Sequence, residues 1–509
     1  MELELERTQL NGCRAVLNTT VCHEETLEMI VPDACPDILR ICDTEGTALL
    51  KSKEAQEGRA AVTGTARAAV LYLPDGAEGM RCIEVNIPFS CGAESALVTG
   101  SCSVVAQPRV RSAETRILNP RKVLVKVDLA IDIQVYAPIT DSLCTGVSDP
   151  ESVSAEELTE SCRVYLATCI QEKPFTFEDE LSLSGGKPEA EELLKSRVFL
   201  HCSESKVIGS KLIFKGEAVL RLLYRGVEGV LCTADYTLPF SQIMEVSSVG
   251  EDCSCRVQVA LNEISCKLDG DRERRSISVA LSMLAQAEVW EEHSVQQLKD
   301  VYSTAYDLTA EKQSCTMSQL LDRGVKNQTV REILESGMPA KNICDAYVCL
   351  GGVNQRREGE HLNLSTEASI TILYITEDDT LAAVTRTVTV PCQLDLPEQA
   401  LCTCHCLCDG EVYATPASGG IEVRFIVDFL YQVCAECKLT GVSAIRLDEN
   451  APRDTTTRPS VILRMVSGGE RLWDIAKAYG TTIQDILRAN DLSEDDLPAG
   501  QLLLIPRKR

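Results

Sequence analysis

Gly64-Thr-Ala-Arg-Ala-Ala-Val-Leu-Tyr72 is an apolar stretch that recurs twice further along the chain, at Gly216–Tyr224 and Thr366–Tyr374. A proline motif follows each copy after a polar loop: Ile87-Pro-Phe-Ser90, Leu238-Pro-Phe-Ser241 and Val390-Pro-Cys-Gln393. The three tyrosines are 152 and 150 residues apart, and each is preceded by an upstream proline at a distance of 36, 36 or 35 residues (Pro36, Pro188 and Pro339). Because these landmarks keep their spacing, the sequence predicts three copies of one structural unit.

A long segment of alternating apolar and polar residues follows each proline motif. The apolar positions run from Val123 to Val135, from Ile277 to Val289 and from Ile421 to Tyr431. This period of two is typical of a strand with one buried face. Turn-forming residues precede these strands and favour hairpins, at Asn119-Pro120, Asp269-Gly270 and Ser418-Gly-Gly420.

Helical signals within the copies are short, at residues 188–195 and 330–335. The predicted fold class is therefore mainly β, with three tandem β-rich repeats that contain minor helix, followed by a small module. The period places the three repeats at residues 1–145, 146–296 and 297–445. A polar, proline-bearing linker is predicted at 446–459, and the module occupies 460–509.

The last fifty residues predict the order strand, helix, helix, strand. Val461–Val466 is apolar, Leu472–Tyr479 has apolar residues at helical spacing, Thr482 is a suitable N-cap for a second helix, and Leu502–Pro506 is apolar again. The segment resembles a LysM domain, a βααβ module. The residues that carry this resemblance are Gly469–Ala476, Tyr479-Gly480, Ile483, Ile486-Leu487, Asn490 and Leu497–Pro506.

The LysM resemblance implies a shallow groove between two loops, which in most of the family holds N-acetylglucosamine polymers. The first loop usually reads Gly-Asp-Thr but here reads Gly469-Glu470-Arg471, and the usual Asn-Pro of the second loop is Asn490-Asp491. These departures favour a protein surface as the ligand. Trp473 is either a packing residue or a contact residue, and tryptophan is favoured at interface hot spots. The candidate partner- or glycan-binding residues are Gly469, Glu470, Arg471, Leu472, Trp473, Asn490 and Asp491.

Composition excludes several classes of protein. The 509 residues include 50 Lys and Arg against 76 Asp and Glu, which gives a net charge of −26, and 44% are hydrophobic. Such a chain is neither disordered nor a general nucleic-acid binder. We expect no secretory signal peptide, no membrane insertion, and reduced thiols in a cytosolic setting for the 25 cysteines.

The three repeats resemble SPOCS domains, a family associated with bacterial spores. The stretch Cys35-Pro-Asp-Ile-Leu-Arg-Ile41 is similar to the opening motif of that family, and Leu298-Lys-Asp-Val-Tyr-Ser303 is similar to another of its signatures. The resemblance implies a non-enzymatic scaffold of the mother-cell cytoplasm that lies at the forespore surface. Its LysM module would dock to the morphogenetic ATPase of the coat basement and to other coat proteins. The alternative is a cell-wall protein that binds peptidoglycan.

Potential metal ligands and nucleophiles are densest in one stretch, Cys402–Cys408, which contains four cysteines and one histidine. Residues two apart on a strand lie ~6.6 Å apart, so thiolates on one straight strand do not close the tetrahedron that zinc requires. A structural strand is favoured, and a metal site or a redox site stays as an alternative. We predict no catalytic residue, no metal ligand and no cofactor, and hence no enzyme.

Overall fold

The computed structural model describes residues 2–76, 79–246, 250, 253–269, 274–408, 411–453, 459–492 and 500–506. The first repeat consists of six strands, of which the first and last are the longest. They are β1 (Leu5–Ile30), β2 (Ile38–Gln56), β3 (Arg59–Pro74), β4 (Arg81–Glu94), β5 (Ser103–Asn119) and β6 (Lys122–Val147).

The second repeat has the same strand order. Its strands are β7 (Ala155–Ser182), β8 (Ala190–Ile208), β9 (Lys211–Gly226), β10 (Leu231–Glu245), β11 (Ser254–Leu268) and β12 (Ser276–Ser303). The third repeat differs in that two short strands stand in the place of the fifth. Its strands are β13 (Tyr306–Leu334), β14 (Ala340–Glu358), β15 (His361–Thr376), β16 (Leu381–Asp395), β17 (Leu401–Leu407), β18 (Tyr413–Ala417) and β19 (Gly420–Pro452).

Each repeat is built from two antiparallel layers. One layer is a three-stranded sheet, formed by β2-β3-β4, by β8-β9-β10 or by β14-β15-β16. The other layer pairs the first long strand with the last, β1 with β6, β7 with β12 and β13 with β19. The long strands of the first two repeats join into one sheet in the order β11-β12-β7-β1-β6-β5. The apolar faces of the two layers form a separate core in each repeat.

The predicted alternation of the last long strand is confirmed in all three repeats. In β6 the inward residues are fully buried, as the pattern predicts: Val123, Val125, Val127, Leu129, Ile131, Ile133 and Val135. The alternating residues from Ile277 to Val289 and from Ile421 to Phe429 are buried in the same way. The predicted turns at residues 119–120 and 418–420 connect β5 to β6 and β18 to β19. Gly270 of the third predicted turn lies outside the described residues.

The tyrosine and proline landmarks contact each other. Tyr72 donates a hydrogen bond from its hydroxyl to the carbonyl oxygen of Pro36 at 3.3 Å, and Tyr224 does the same to Pro188 at 3.2 Å. Both rings are fully buried, and burial raises the pKa of Tyr72 to about 12. A buried hydroxyl needs a hydrogen-bond partner. The fixed spacing of the landmarks therefore reflects the same tyrosine-to-proline contact in each of the first two repeats.

The glycine that begins the repeated stretch gives room to the phenylalanine of the proline motif. A Cβ atom at Gly216 would lie 2.5 Å from the ring of Phe240 and 2.2 Å from the carbonyl oxygen of His201. Gly64 and Phe89 of the first repeat have the same close approach. The third repeat has Thr366 and Cys392 at these two positions, and both are buried. In the third repeat, the larger Thr366 replaces the glycine, and the smaller Cys392 replaces the phenylalanine that would otherwise clash with it.

The short helices predicted inside the repeats, at 188–195 and 330–335, are wrong. The first segment lies largely in β8 and the second largely in β13, and in the described part of the repeats only Val227–Gly229 is helical, as a 3-10 turn. Ala190 and Leu194 are buried against the neighbouring strand β9. A helix of two turns is marginal in water, so burial and ladder pairing override its weak propensity.

The C-terminal module has the predicted order of elements. Strand β20 (Val461–Met465) pairs antiparallel with β21 (Leu502–Pro506), and helices α1 (Leu472–Tyr479) and α2 (Ile483–Ala489) lie between them in sequence. Gly480 ends α1 in the left-handed conformation with φ of 65°, and Thr482 caps α2 by accepting a hydrogen bond from the amide of Asp485. Strand β12 continues past the predicted boundary at residue 296 to Ser303, so residues 297–303 belong to the second repeat, and strand β19 continues past residue 446. Residues 454–458 of the predicted linker lie outside the described residues.

Equivalent residues of the three repeats meet at the centre of the molecule. Leu71, Leu223 and Leu373, each next to a landmark tyrosine, belong to one buried hydrophobic cluster. Cys42, Leu194 and Cys344 pack in the same cluster, and they are related by the same spacing of 152 and 150 residues. Three equivalent positions can touch one another only if the repeats surround a common axis. The repeats are therefore arranged with pseudo-threefold symmetry.

Beside this cluster, charged residues of the three repeats meet in what we call the axial ion cluster. It has six members, which form two sets of equivalent positions spaced by 152 and 150 residues. One set is Asp43, Lys195 and Asp345, and the other is Glu45, Arg197 and Tyr347. Lys195 Nζ lies 2.7 Å from Asp43 Oδ2 and 2.8 Å from Glu45 Oε2. Arg197 binds both Glu45 and Asp345, and it stacks on the ring of Tyr347 at 4.2 Å.

The axial ion cluster is almost completely buried, with side-chain exposures of 3% for Lys195 and 8% for Arg197. Burial by itself would lower the pKa of Lys195 and raise that of Asp345, but the opposite charges reverse both shifts. The pKa of Lys195 is raised and the pKa of Asp345 is lowered, so both groups stay charged at neutral pH. The contribution of Asp345 to stability is present at neutral pH and is lost as the pH falls through its lowered pKa.

The substitution Lys195→Met tests the axial ion cluster. It leaves the carboxylates of Asp43, Glu45 and Asp345 short of one cation, and we expect it to lower the free energy of unfolding by about 3–5 kcal/mol. The matched control is Lys215→Met, because the pair of Lys215 with Glu204 is exposed and should change stability by less than about 1 kcal/mol. Urea denaturation followed by circular dichroism measures both values. Equal stability of the two variants would contradict the role assigned to Lys195.

The substitution Gly216→Ala tests the close approach of Phe240. The added methyl group meets a ring and a backbone carbonyl, so we expect a loss of about 1–3 kcal/mol in the free energy of unfolding. Gly185→Ala is the matched control, since a Cβ atom there meets no atom within 4 Å. Thermal and urea unfolding compare the two variants with the wild type, and no difference between them would rule out the steric explanation.

Candidate functional site

The candidate groove residues of the first LysM loop are paired with neighbours inside the module. Arg464 Nη2 donates to Glu470 Oε1 at 2.5 Å, and the backbone amide of Ser467 donates to the other carboxylate oxygen at 2.9 Å. Arg471 forms two parallel hydrogen bonds to the carboxylate of Asp474, at 2.9 and 3.0 Å. Gly469 has a φ of 81°, which suits the turn before α1. These polar groups are thus already engaged without a ligand.

The candidate residues of the second loop have different environments. The Asn490 amide nitrogen donates to the carbonyl oxygens of Ile486 and Leu504, and its oxygen accepts from the amide of Leu504, all at 2.7 Å. Asn490 therefore ties the end of α2 to β21. Asp491 is exposed and has a φ of 53°. Residues 493–499, part of the stretch that carries the LysM resemblance, and the basic residues 507–509 lie outside the described residues.

Leu472 and Trp473 are the two candidate residues that the structure buries. Leu472 is in the core of the module. Trp473 lies against the body of repeats, where its indole Nε1 donates to Asp300 Oδ2 at 2.9 Å and its ring packs edge-on against Tyr302 at 4.9 Å. Of the two possible roles for Trp473, packing is the one that this arrangement supports, because its indole contacts another part of the same chain.

The surface that receives the LysM module is the end of strand β12. Lys477 donates to both carboxylate oxygens of Asp300 at 2.7 and 2.8 Å, and the hydroxyl of Tyr302 donates to the backbone oxygen of Thr481 at 2.8 Å. Asp300 and Tyr302 both lie in the stretch Leu298–Ser303, for which the sequence by itself indicated no structural role. The structure shows that this stretch anchors the C-terminal module.

Charge as well as packing holds the module in place. Burial by itself would raise the pKa of Asp300, but the hydrogen bonds from Lys477 and Trp473 lower it below the ordinary value. Lys312 of the third repeat approaches the same carboxylate at 3.5 Å. One aspartate therefore links the second repeat, the third repeat and the LysM module, and it stays ionised at neutral pH.

The cysteine-rich stretch forms strand β17, and its thiols point into the core of the third repeat. Cys404 and Cys406 are buried. Burial raises the pKa of Cys402 to about 12, and the Cys404 pKa is raised by a hydrogen bond with Cys406 and by burial. Protonated thiols are poor metal ligands and poor nucleophiles. No group of three or more potential metal ligands is brought together among the described residues.

Two family models match the chain. Residues 465–506 match the model described as LysM domain, and residues 37–118 and 189–269 match the model described as SipL, SPOCS domain. The two SPOCS matches lie in the first and second repeats, and the third repeat has closely related strand order. No curated protein and no solved structure gives a significant match. The described part of the chain contains no helix with the length and hydrophobicity needed to cross a bilayer.

The substitution Asp300→Ala tests the anchoring of the module. The chain has two tryptophans, so a Trp290→Phe background leaves Trp473 as the fluorescent reporter. We expect Asp300→Ala to weaken docking by about 2 kcal/mol, the scale of a hydrogen bond to a charged group, and to expose Trp473 to iodide quenching. Because the pKa of Asp300 is lowered in the docked state, quenching of the unsubstituted protein should rise only as the pH falls through that pKa.

Asp395→Ala is the control for this measurement, since Asp395 is exposed and binds only His361 among the contacts described for it. Its quenching should equal that of the background protein. Equal quenching in Asp300→Ala would contradict the anchoring role.

Proposed function

Because this chain has the SPOCS and LysM domains of a SipL-type protein, we propose that it is a non-enzymatic scaffold in assembly of the spore coat. SPOCS and LysM are both non-catalytic binding domains, which supports a role in sporulation that depends on binding. The single observation that carries the proposal is the anchored module. A LysM domain held at a defined position on a body of three repeats suits a protein that brings partners together.

We propose that the LysM module docks to the morphogenetic ATPase of the coat basement. The candidate groove residues support a protein ligand over a glycan, because Glu470 is already paired with Arg464 and Arg471 with Asp474, which leaves few free polar groups for sugar hydroxyls. Arg471 and Asp491 are the exposed charged residues among the candidates, and they can make polar contacts at the edge of an interface. The proposed location is the forespore surface, reached from the mother-cell cytoplasm.

Retention of the full-length chain on the immobilised coat ATPase tests this function. We expect the wild type to be retained, Arg471→Glu to bind about tenfold more weakly because it reverses a charge at the proposed interface edge, and Arg356→Glu to bind like the wild type. Arg356 is a matched control, because it is an exposed arginine of the third repeat. Failure of the wild type to bind would overturn the proposed docking.

Peptidoglycan binding is the second candidate, and the match to the LysM model is the observation that favours it. Sedimentation of the full chain with purified peptidoglycan distinguishes the two functions. Saturable binding that N-acetylglucosamine oligomers compete away would support the glycan function, and its absence together with retention on the ATPase would support the scaffold.

A further inference from the structure

The two-stranded sheet of the LysM module has one face made only of apolar side chains. The register pairs Val461 with Pro506, Leu463 with Leu504 and Met465 with Leu502, and directly opposed residues of an antiparallel pair point to the same side. We call these six residues the outer face. Its most exposed members are Leu463 and Met465, both at 64%, Leu502 at 57% and Val461 at 47%.

No residue of the outer face belongs to the hydrophobic core of the module. The opposite face of the same sheet supplies the core, where Leu503 and Ile505 are fully buried beneath α1 and α2. Arg464, also on that inner side, pairs with Glu470 and lies over the ring of Tyr479 at 5.5 Å. Large aliphatic side chains that are exposed together, rather than singly, are uncommon on soluble domains and mark interaction surfaces.

Anchoring of the module leaves the outer face uncovered. The repeats reach the module through Trp473 and Lys477 of α1 and through Thr481 in the turn after it. The helices pack on the inner side of the sheet, so the contacts with the repeats lie on the helical side. Within the described part of the chain, the outer face is thus presented to solvent at a defined position on the body.

The chemistry of the outer face selects the class of ligand. None of its six side chains can donate a hydrogen bond, and the Met465 sulfur, a weak acceptor, is their one acceptor atom, so the face has little to offer sugar hydroxyls or phosphate groups. Burial of apolar surface is the driving force that it can supply, and apolar contact surrounded by a polar rim is the usual organisation of a protein interface. The candidate groove residues Arg471 and Asp491 are exposed and can belong to such a rim.

The net charge of this chain indicates that the outer face binds a different protein and not a second copy of the same chain. Residues 460–509 contain seven acidic and seven basic residues, so the whole net charge of −26 belongs to residues 1–459. Because the module is anchored to that acidic body, pairing of two outer faces would bring two strongly negative bodies together, which is unfavourable. A partner without excess negative charge meets no such repulsion.

We propose that the outer face is the docking surface for a partner protein that presents an apolar patch on a body of neutral or positive charge. The proposal rests on the proposed function, since it assigns the surface through which the LysM module holds its partner. The main contact with the partner then lies on the outer face of the β20–β21 sheet. It does not lie in the groove between the two loops, where the polar groups are already paired.

The experiment compares full-length variants on the immobilised coat ATPase. We expect Leu463→Asp and Met465→Asp to weaken binding about tenfold or more, because each places a charge at the centre of an apolar interface. Leu39→Asp is the matched control, as Leu39 is exposed at 63% on the first repeat and should bind like the wild type. Quenching of Trp473 must be unchanged in all variants, which shows that the module is folded and anchored.

The outcomes separate the two proposals. Retention of the wild type together with undiminished binding by Leu463→Asp overturns the outer face and leaves the scaffold function standing. Failure of the wild type to bind overturns both. Sedimentation velocity of the chain alone tests the other occupant, since a concentration-dependent dimer that Leu463→Asp abolishes would assign the face to a second copy and overturn the proposal.

Discussion

Two buried cations, Lys195 and Arg197, hold the three repeats around their common axis. The first repeat contributes two carboxylates at these equivalent positions, the second contributes both cations, and the third contributes Asp345 and Tyr347. Three copies of any one repeat could not meet in this way, because like charges would be buried together. The net gain in stability from buried ion pairs is small, but a mismatched arrangement is strongly unfavourable. The cluster therefore favours the association of three different repeats over the association of like repeats.

The position of the C-terminal module depends on this arrangement. Asp300 lies in the last strand of the second repeat and is approached by Lys312 of the third, so its environment exists only when those repeats are side by side. Trp473 and Lys477 then complete the site. One ionised side chain thus contributes to the junction between the acidic body and the neutral module, beside the packing of Trp473 on Tyr302. For the proposed scaffold, a module that is held in one orientation would lose less entropy on binding a partner.

The repeats and most strands could be predicted because they are encoded locally. A period of two identified the long strands, since it depends on residues close in sequence. The recurrence of the tyrosine and proline landmarks along the chain identified the three units. The helix at 188–195 failed because pairing with β9 outweighs a weak local preference. In the candidate site, loop residues such as Arg471 and Asp491 could be found by resemblance. Asp300 could not be found as their anchor, because it lies 173 residues before Trp473.

Local pattern is therefore enough for the class of fold, the number of repeats and the order of elements in the last module, because strand alternation and helix caps act over a few residues. Contacts between distant residues decide the rest. Asp43, Lys195 and Asp345 are far apart in the sequence, and only the closed arrangement of the repeats makes them one buried cluster. Likewise Val461 and Leu463 are ordinary strand residues in the sequence, and only the position of the helices and repeats shows which face of their sheet is exposed.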